Sequence, residues 1–261
     1  MLIAVLLGFI QGITEWLPVS SEGIVAVVYS IAAHRPMDEA VAYALWLHLG
    51  TALSALTTFR SEVGQMFKEI ITFPRNPSPL LKFLTVSTLT TAMVALPLLD
   101  FFSERSDQFG AGTMGLVGFF MFITGVIQIS KTTPGRRDHR RTNYLDSLLT
   151  GGVQGLAALP GLSRSGLTIA ILLARGIQRR EALVLSFLMS IPVSIGAAIY
   201  SGLSHKSVLA PESLVATAVA FLVGLATIRT LLKLAASLNF GVFVIGTGSL
   251  IILGVVVHVF R

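Results

Sequence analysis

The sequence predicts an all-α polytopic membrane protein with six transmembrane helices and two re-entrant helical hairpins, arranged as an inverted-topology repeat. Three observations predict it: apolar runs that repeatedly reach bilayer-spanning length, a helix-breaking motif that occurs twice in register, and loop charge that alternates along the chain. Of the 261 residues, 53% are hydrophobic and 12% charged, and the mean hydropathy of +0.80 places the chain in the membrane class before any residue is considered.

Uninterrupted apolar runs cover residues 40–59, 80–99, 111–129, 182–200, 213–232 and 240–260. Each suffices to cross roughly 30 Å of hydrocarbon at about 1.5 Å per residue. Two further stretches, 2–31 and 144–174, are broken near their centres by a Pro-containing, Ser-rich segment, so each half is too short to cross. They read as re-entrant hairpins. Irregular backbone at membrane depth is tolerated only inside protein or along a cavity, so the two tips should face one another within the bundle.

The broken segments are copies. A gapless shift of 143 residues lays Gln11 on Gln154, Gly12 on Gly155, Ser20 on Ser163 and Gly23 on Gly166, and Asp38-Glu39-Ala40 matches Arg180-Glu181-Ala182 at a shift of 142. Each half, 1–130 and 144–261 of a single membrane domain, is then one hairpin plus three spans. An odd number of crossings inserts the second half upside down.

Loop charge gives the orientation. The 60–79 loop carries Arg60, Lys68 and Arg75 against Glu62 and Glu69, and the 131–143 loop carries Lys131, Arg136, Arg137, Arg140 and Arg141 against Asp138, so both should be cytoplasmic. The acidic loop between them, with Asp100, Glu104 and Asp107 against Arg105, should lie outside, as should both termini. Hairpin one then enters from outside and hairpin two from the cytoplasm. The net charge of +6 and pI near 10.1 are accounted for by these loops and by anionic lipid, which removes nucleic acid as a partner. With no cysteine, disulfides, thiolate metal sites and Cys nucleophiles are excluded. The first apolar run has neither a basic leader nor a small-residue cleavage site, and reads as mature structure.

Chemistry-bearing residues concentrate at the breaks. Gln11 and Glu15, four apart, share a half-helix face, and Pro18 breaks the chain before Ser20, Ser21 and Glu22. Their oxygens suit a hard cation, Mg²⁺ or Ca²⁺, that shares its shell with phosphate and water. In the second copy Pro160-Gly161 ends one half-helix, and Ser163, Ser165 or Thr168 opens the next. A half-helix N-terminus bearing Arg164 is an anion site. Plainer roles compete: serines as interhelical glue, the glycines as packing sites, Glu15–Arg164 as a structural ion pair, and His48 as a packing residue hydrogen-bonded to backbone.

Gln11 to Glu15, Pro18 to Gly23 and Pro160 to Thr168 resemble the motifs of the undecaprenyl-diphosphate phosphatases of the bacitracin-resistance type, over essentially the whole chain. The resemblance implies six spans plus two re-entrant hairpins in the cell membrane. It also implies removal of the terminal phosphate from a C55 polyprenyl diphosphate at a cavity open to the outer face, which recycles the lipid carrier of cell-wall glycans. Carried over by position, Gln11 and Glu15 match the acidic motif that helps hold the divalent metal, and Ser21 matches the proposed nucleophile. Ser163, Arg164, Ser165 and Thr168 match the diphosphate-binding loop, with Ser20 and Gly166 beside them on the substrate side. One departure stands out. Where the family commonly has a His, two residues past the one after the Ser pair, this chain has Ile24, with Glu22 at the intervening position. Glu22, Glu15 or His48 then takes the base role, or water attacks directly. A polyprenyl-phosphate flippase or anion carrier would use the same cradle, and isoprenoid length and a homo-oligomeric state stay open.

Overall fold

The computed structural model describes residues 1–72, 77–109, 111–129, 135–237, 245–246 and 248–253. Among them the chain forms ten α-helices and no strand: α1 Leu2–Thr14, α2 Ser21–Ala33, α3 Met37–Thr58, α4 Arg60–Thr72, α5 Pro79–Phe109, α6 Ala111–Ile129, α7 Tyr144–Leu156, α8 Arg164–Ala174, α9 Arg179–Ser204 and α10 Pro211–Ser237. Four stretches are long and apolar enough to cross a membrane: Met37–Thr58, Pro79–Phe101, Arg179–Ser204 and Pro211–Thr230. The protein is therefore an α-helical membrane protein. Most of the expected span at 240–260 lies outside the described residues.

The stretches expected to be broken are broken. α1 and α2 have 13 residues each, α7 has 13 and α8 has 11, so no half exceeds about 20 Å at 1.5 Å per residue. The reason is local. Ser20 and Ser163 cap the second helix of their pairs, accepting from Gly23 N–H at 3.2 Å and Gly166 N–H at 3.1 Å. Gly161 has φ +103°, and a Cβ there would meet the Val117 carbonyl oxygen at 2.3 Å, so only glycine makes that turn.

Packing repeats with the sequence. α1 lies on α10 and α7 on α5, while α3 and α9 pack together at the centre. A Cβ on Gly8 would meet the Ala216 carbonyl at 2.3 Å, and one on Gly151 would meet the Ser87 carbonyl at 2.5 Å. Gly8 and Gly151 are equivalent at the 143-residue shift, and each is followed four residues later by another glycine, the small-xxx-small spacing that lets membrane helices close on one another. α3 is tied to its neighbours by hydroxyl-to-carbonyl bonds, from Ser201 Oγ to Ala42 at 2.6 Å and from Ser54 Oγ to Phe221 at 2.7 Å.

Three features differ from the sequence reading. The acidic stretch with Asp100, Glu104 and Asp107, read as a loop, is helical and continues α5 to Phe109. The stretch read as a loop at 60–79 contains α4, because Val63, Met66, Phe67, Ile70 and Ile71 fall on one helical face. Val63 and Met66 pack on the core, while Phe67, Ile70 and Ile71 stay exposed. Arg137, read as part of a solvated topology signal, instead grips a buried carboxylate. Asp146, 0% exposed in the first turn of α7, accepts from Arg137 Nη2 at 2.6 Å, Arg175 Nε at 2.7 Å and Asn143 N–H at 2.9 Å. This clamp ties the two ends of the second hairpin together where it leaves the bundle.

Gly8→Val and Gly151→Val should each lower stability by about 1–3 kcal/mol through overpacking. Gly64→Ala, with nothing within 4 Å of its added Cβ in α4, should raise it by roughly 0.5–1 kcal/mol. Thermal unfolding in detergent checks all three.

Candidate active site

Glu15 ends α1 and points its carboxylate at the tip of the opposite hairpin. As the C-cap residue its N–H still bonds the Gln11 carbonyl at 3.1 Å, so Gln11 and Glu15 lie one helical turn apart with their side chains on the same face. Glu15 Oε2 accepts from Ser21 Oγ at 2.7 Å and from Gln11 Nε2 at 3.0 Å, with His48 Nε2 at 3.3 Å. Its Oε1 accepts from Arg164 Nη2. Four side chains from α1, α2, α3 and α8 thus converge on one carboxylate.

Ser21 can make that contact because the break positions it. Residues 15–20 leave the helix, Ser20 caps α2, and Ser21 becomes the first residue of the new helix with its hydroxyl turned back toward Glu15. His48 reaches the site from α3 with Nδ1 donating to the Ala44 carbonyl at 2.7 Å, the backbone anchor foreseen for it. That bond fixes the ring and leaves Nε2 facing the carboxylate.

The second break supplies the other wall and the stitching. Arg164, the first residue of α8, also donates through Nη1 to the Ser186 carbonyl of α9 at 3.2 Å. Ser163 Oγ donates to the Val19 carbonyl at 3.0 Å and Ser165 Oγ to the Leu17 carbonyl at 3.0 Å, so the two tips are joined residue by residue. Thr124 of α6 accepts from Ser163 N–H at 3.2 Å, and Thr168 bonds Ser186 Oγ at 2.7 Å. Thr124 and Ser186 were not singled out in the sequence. Their only signal was a hydroxyl inside an apolar helix, which is more often interhelical glue.

A narrow cleft opens between the tips, lined by Glu15, Val19, Ser20, Ser21, Glu22, His48, Ala157, Leu162, Arg164 and Ser165. Seven of these are site residues named from the sequence. Gln11, Ser163, Gly166 and Thr168 do not line it: Gln11 stands behind Glu15, and the other three form the cap and brace of α8. Ile24 turns away from the cleft and packs on Val19, Val117 and Met121. Glu15–Arg164 is an ion pair, as weighed from the sequence, but one that lines a cavity instead of a closed seam.

The donor set can be examined for a cation. Among the described residues no three His, Cys, Asp or Glu side chains form a cage. Gln11 Oε1 is buried without a partner one helical turn from Glu15, so a hard oxygen stands uncommitted behind the carboxylate. That fits a cation taking the remainder of its coordination from phosphate and water.

With hydroxyl, carboxylate and guanidinium in one cleft, the comparisons with known proteins become decisive. The family model described as bacitracin resistance protein BacA matches residues 4–256. The chain belongs to this family. A protein of Methanococcoides burtonii named undecaprenyl-diphosphatase is 39% identical over 258 residues, covering 96% of each chain. Proteins of the same name from Haloarcula marismortui and Methanothrix thermoacetophila are 36% and 35% identical, covering 92% and 94% of this chain and 91% and 93% of theirs. These names describe a hydrolase; none describes a carrier.

Glu15→Gln or Arg164→Met alone leaves a buried charge without its main partner and should cost about 3–5 kcal/mol, whereas the double substitution should recover a large part of that loss. A double-mutant cycle by thermal unfolding measures it, and purely additive effects would contradict the pairing.

Proposed function

We propose that this protein is an integral-membrane undecaprenyl-diphosphatase that cleaves the phosphoanhydride of a polyprenyl diphosphate at the cleft between the two helix breaks. The products are polyprenyl phosphate, available again as lipid carrier, and inorganic phosphate. The observation that carries the reading is Ser21 Oγ at 2.7 Å from Glu15 Oε2 with Arg164 on the same carboxylate, in a chain matched over residues 4–256 by the BacA family.

Phosphoryl transfer asks for an in-line nucleophile and neutralised charge more than for covalent chemistry from the protein. Ser21 is the nucleophile, and Glu15, already accepting its hydrogen bond, takes the proton as Oγ attacks the terminal phosphorus. The anhydride bond breaks and polyprenyl phosphate departs. Arg164, planar and always charged, offers its fork to the phosphate oxygens at the positive end of α8. Ser165 and Ser20 line the same wall, while His48 holds Glu15 in place. Gln11 and Glu15 would hold a divalent cation, Mg²⁺ or Ca²⁺, which when bound supplies charge neutralisation to the diphosphate.

The same reading includes the topology. The protein is a multi-pass protein of the cell membrane with six spans and two re-entrant hairpins, both termini outside, and halves 1–130 and 144–261 inverted relative to one another. Support comes from the starts of α1 and α7, α2 and α8, and α3 and α9, which lie 142 or 143 residues apart, and from the equivalent glycine contacts of α1 and α7. Entry of the lipid follows from a cleft set between helices in the bilayer.

With purified protein, undecaprenyl diphosphate and Mg²⁺, phosphate release should be robust and abolished by chelator. Ser21→Ala, Glu15→Gln and Arg164→Ala should each reduce it by on the order of 10²–10⁴-fold. Activity above about a tenth of wild type in Ser21→Ala would transfer the attack to water and overturn the Ser21 assignment.

A further inference from the structure

We infer that Glu22 is the base that activates water in the second half of the reaction, clearing the phosphate from Ser21; this rests on Ser21 being the nucleophile. Water that attacks a phosphoserine needs a proton acceptor in the cleft. When Ser21 attacks, Glu15 receives its proton, and the departing polyprenyl phosphate leaves as an anion that does not need it. Both Glu15 oxygens are engaged, by Ser21, Gln11, His48 and Arg164, so Glu15 offers no free oxygen to a water that attacks the phosphoserine. The attacking water needs a different acceptor.

The cleft holds one. Glu15 and Glu22 are its two carboxylates, and they are treated oppositely by the fold. Glu15 receives Ser21, Gln11, Arg164 and His48, whereas among the described residues the Glu22 side chain has no hydrogen-bond partner and its Oε1 is buried. Glu22 is only 8% exposed, and a buried carboxylate with nothing to bind is costly, most of all at membrane depth. Its position in the first turn of α2 brings its side chain to the wall of the cleft. It is also the residue next to Ser21.

The alternatives for this step are committed elsewhere. His48 gives Nδ1 to the Ala44 carbonyl and turns Nε2 to Glu15, and Ile24 lies in the apolar cluster with Val117 and Met121. The second step then balances. Water passes one proton to Glu22 as its oxygen bonds phosphorus; the P–Oγ bond breaks, Ser21 Oγ takes the proton held on Glu15, and inorganic phosphate leaves. The proton on Glu22 goes out to solvent with the product.

The test is rapid-quench kinetics on full-length detergent-solubilised protein with undecaprenyl diphosphate labelled in the terminal phosphate. Glu22→Gln should release one equivalent of undecaprenyl phosphate per protein in a burst, keep the label on Ser21, and turn over on the order of 10²–10⁴-fold more slowly than wild type. Glu15→Gln should show neither burst nor label. Formate should restore turnover to Glu22→Ala by supplying the missing carboxylate, a rescue that a packing role would not give. Steady-state turnover of Glu22→Gln within threefold of wild type, or lost turnover without labelled protein, overturns the inference. Label on a residue other than Ser21 instead overturns the nucleophile assignment.

Discussion

The site depends on one buried contact, the pairing of Glu15 with Arg164 across the two helix breaks. In a bilayer neither charge can stand alone, and neither can the frayed backbone ends of the half-helices that carry them. Bringing the breaks together resolves both costs. The carboxylate meets the guanidinium, and the backbone carbonyls of Leu17 and Val19 accept from Ser165 and Ser163 of the facing tip. Closing the two open tips on one another leaves between them a small polar cleft in which chemistry can be done.

Symmetry provides the scaffold and asymmetry the function. Ser20 and Ser163 perform the same capping job 143 residues apart, and Gly8 and Gly151 admit a neighbouring helix in the same way. Differences between the copies reach the cleft: Ser21 and Arg164 are equivalent in the alignment, yet one is a hydroxyl and the other a cation. The second hairpin carries an extra restraint at its base, where Arg137 and Arg175 hold buried Asp146. That restraint sits on the same hairpin as Arg164 and helps hold its frame in place.

Several sequence readings survive because they rest on constraints local to the chain. Proline and serine at the breaks end helices wherever the chain goes, apolar length defines a span, and so most helix boundaries came out near their expected positions, while α5 runs past its expected end at 99 to Phe109. α4 was legible too, in the spacing of Val63, Met66 and Ile70, but loop charge drew the reading away from it. The clamp on Asp146 was not legible, since Arg137 and Arg175 are separated from it by 9 and 29 residues with no pattern linking them.

By itself the sequence determined the membrane class, the paired breaks, and which side chains were present at them, because hydropathy and helix breaking act over a few residues at a time. Only the tertiary structure decided how those side chains divide the work. Ser163 and Thr168 went to bracing, Ile24 to packing, Glu15 became saturated with donors, and Glu22 was left in the cleft with none among the described residues. Such assignments depend on which atoms from α2, α3, α8 and α9 arrive within about 3 Å of one another, the range in which hydrogen bonds form. Distances between residues more than a hundred positions apart are a property of the packed bundle and not of any stretch of chain.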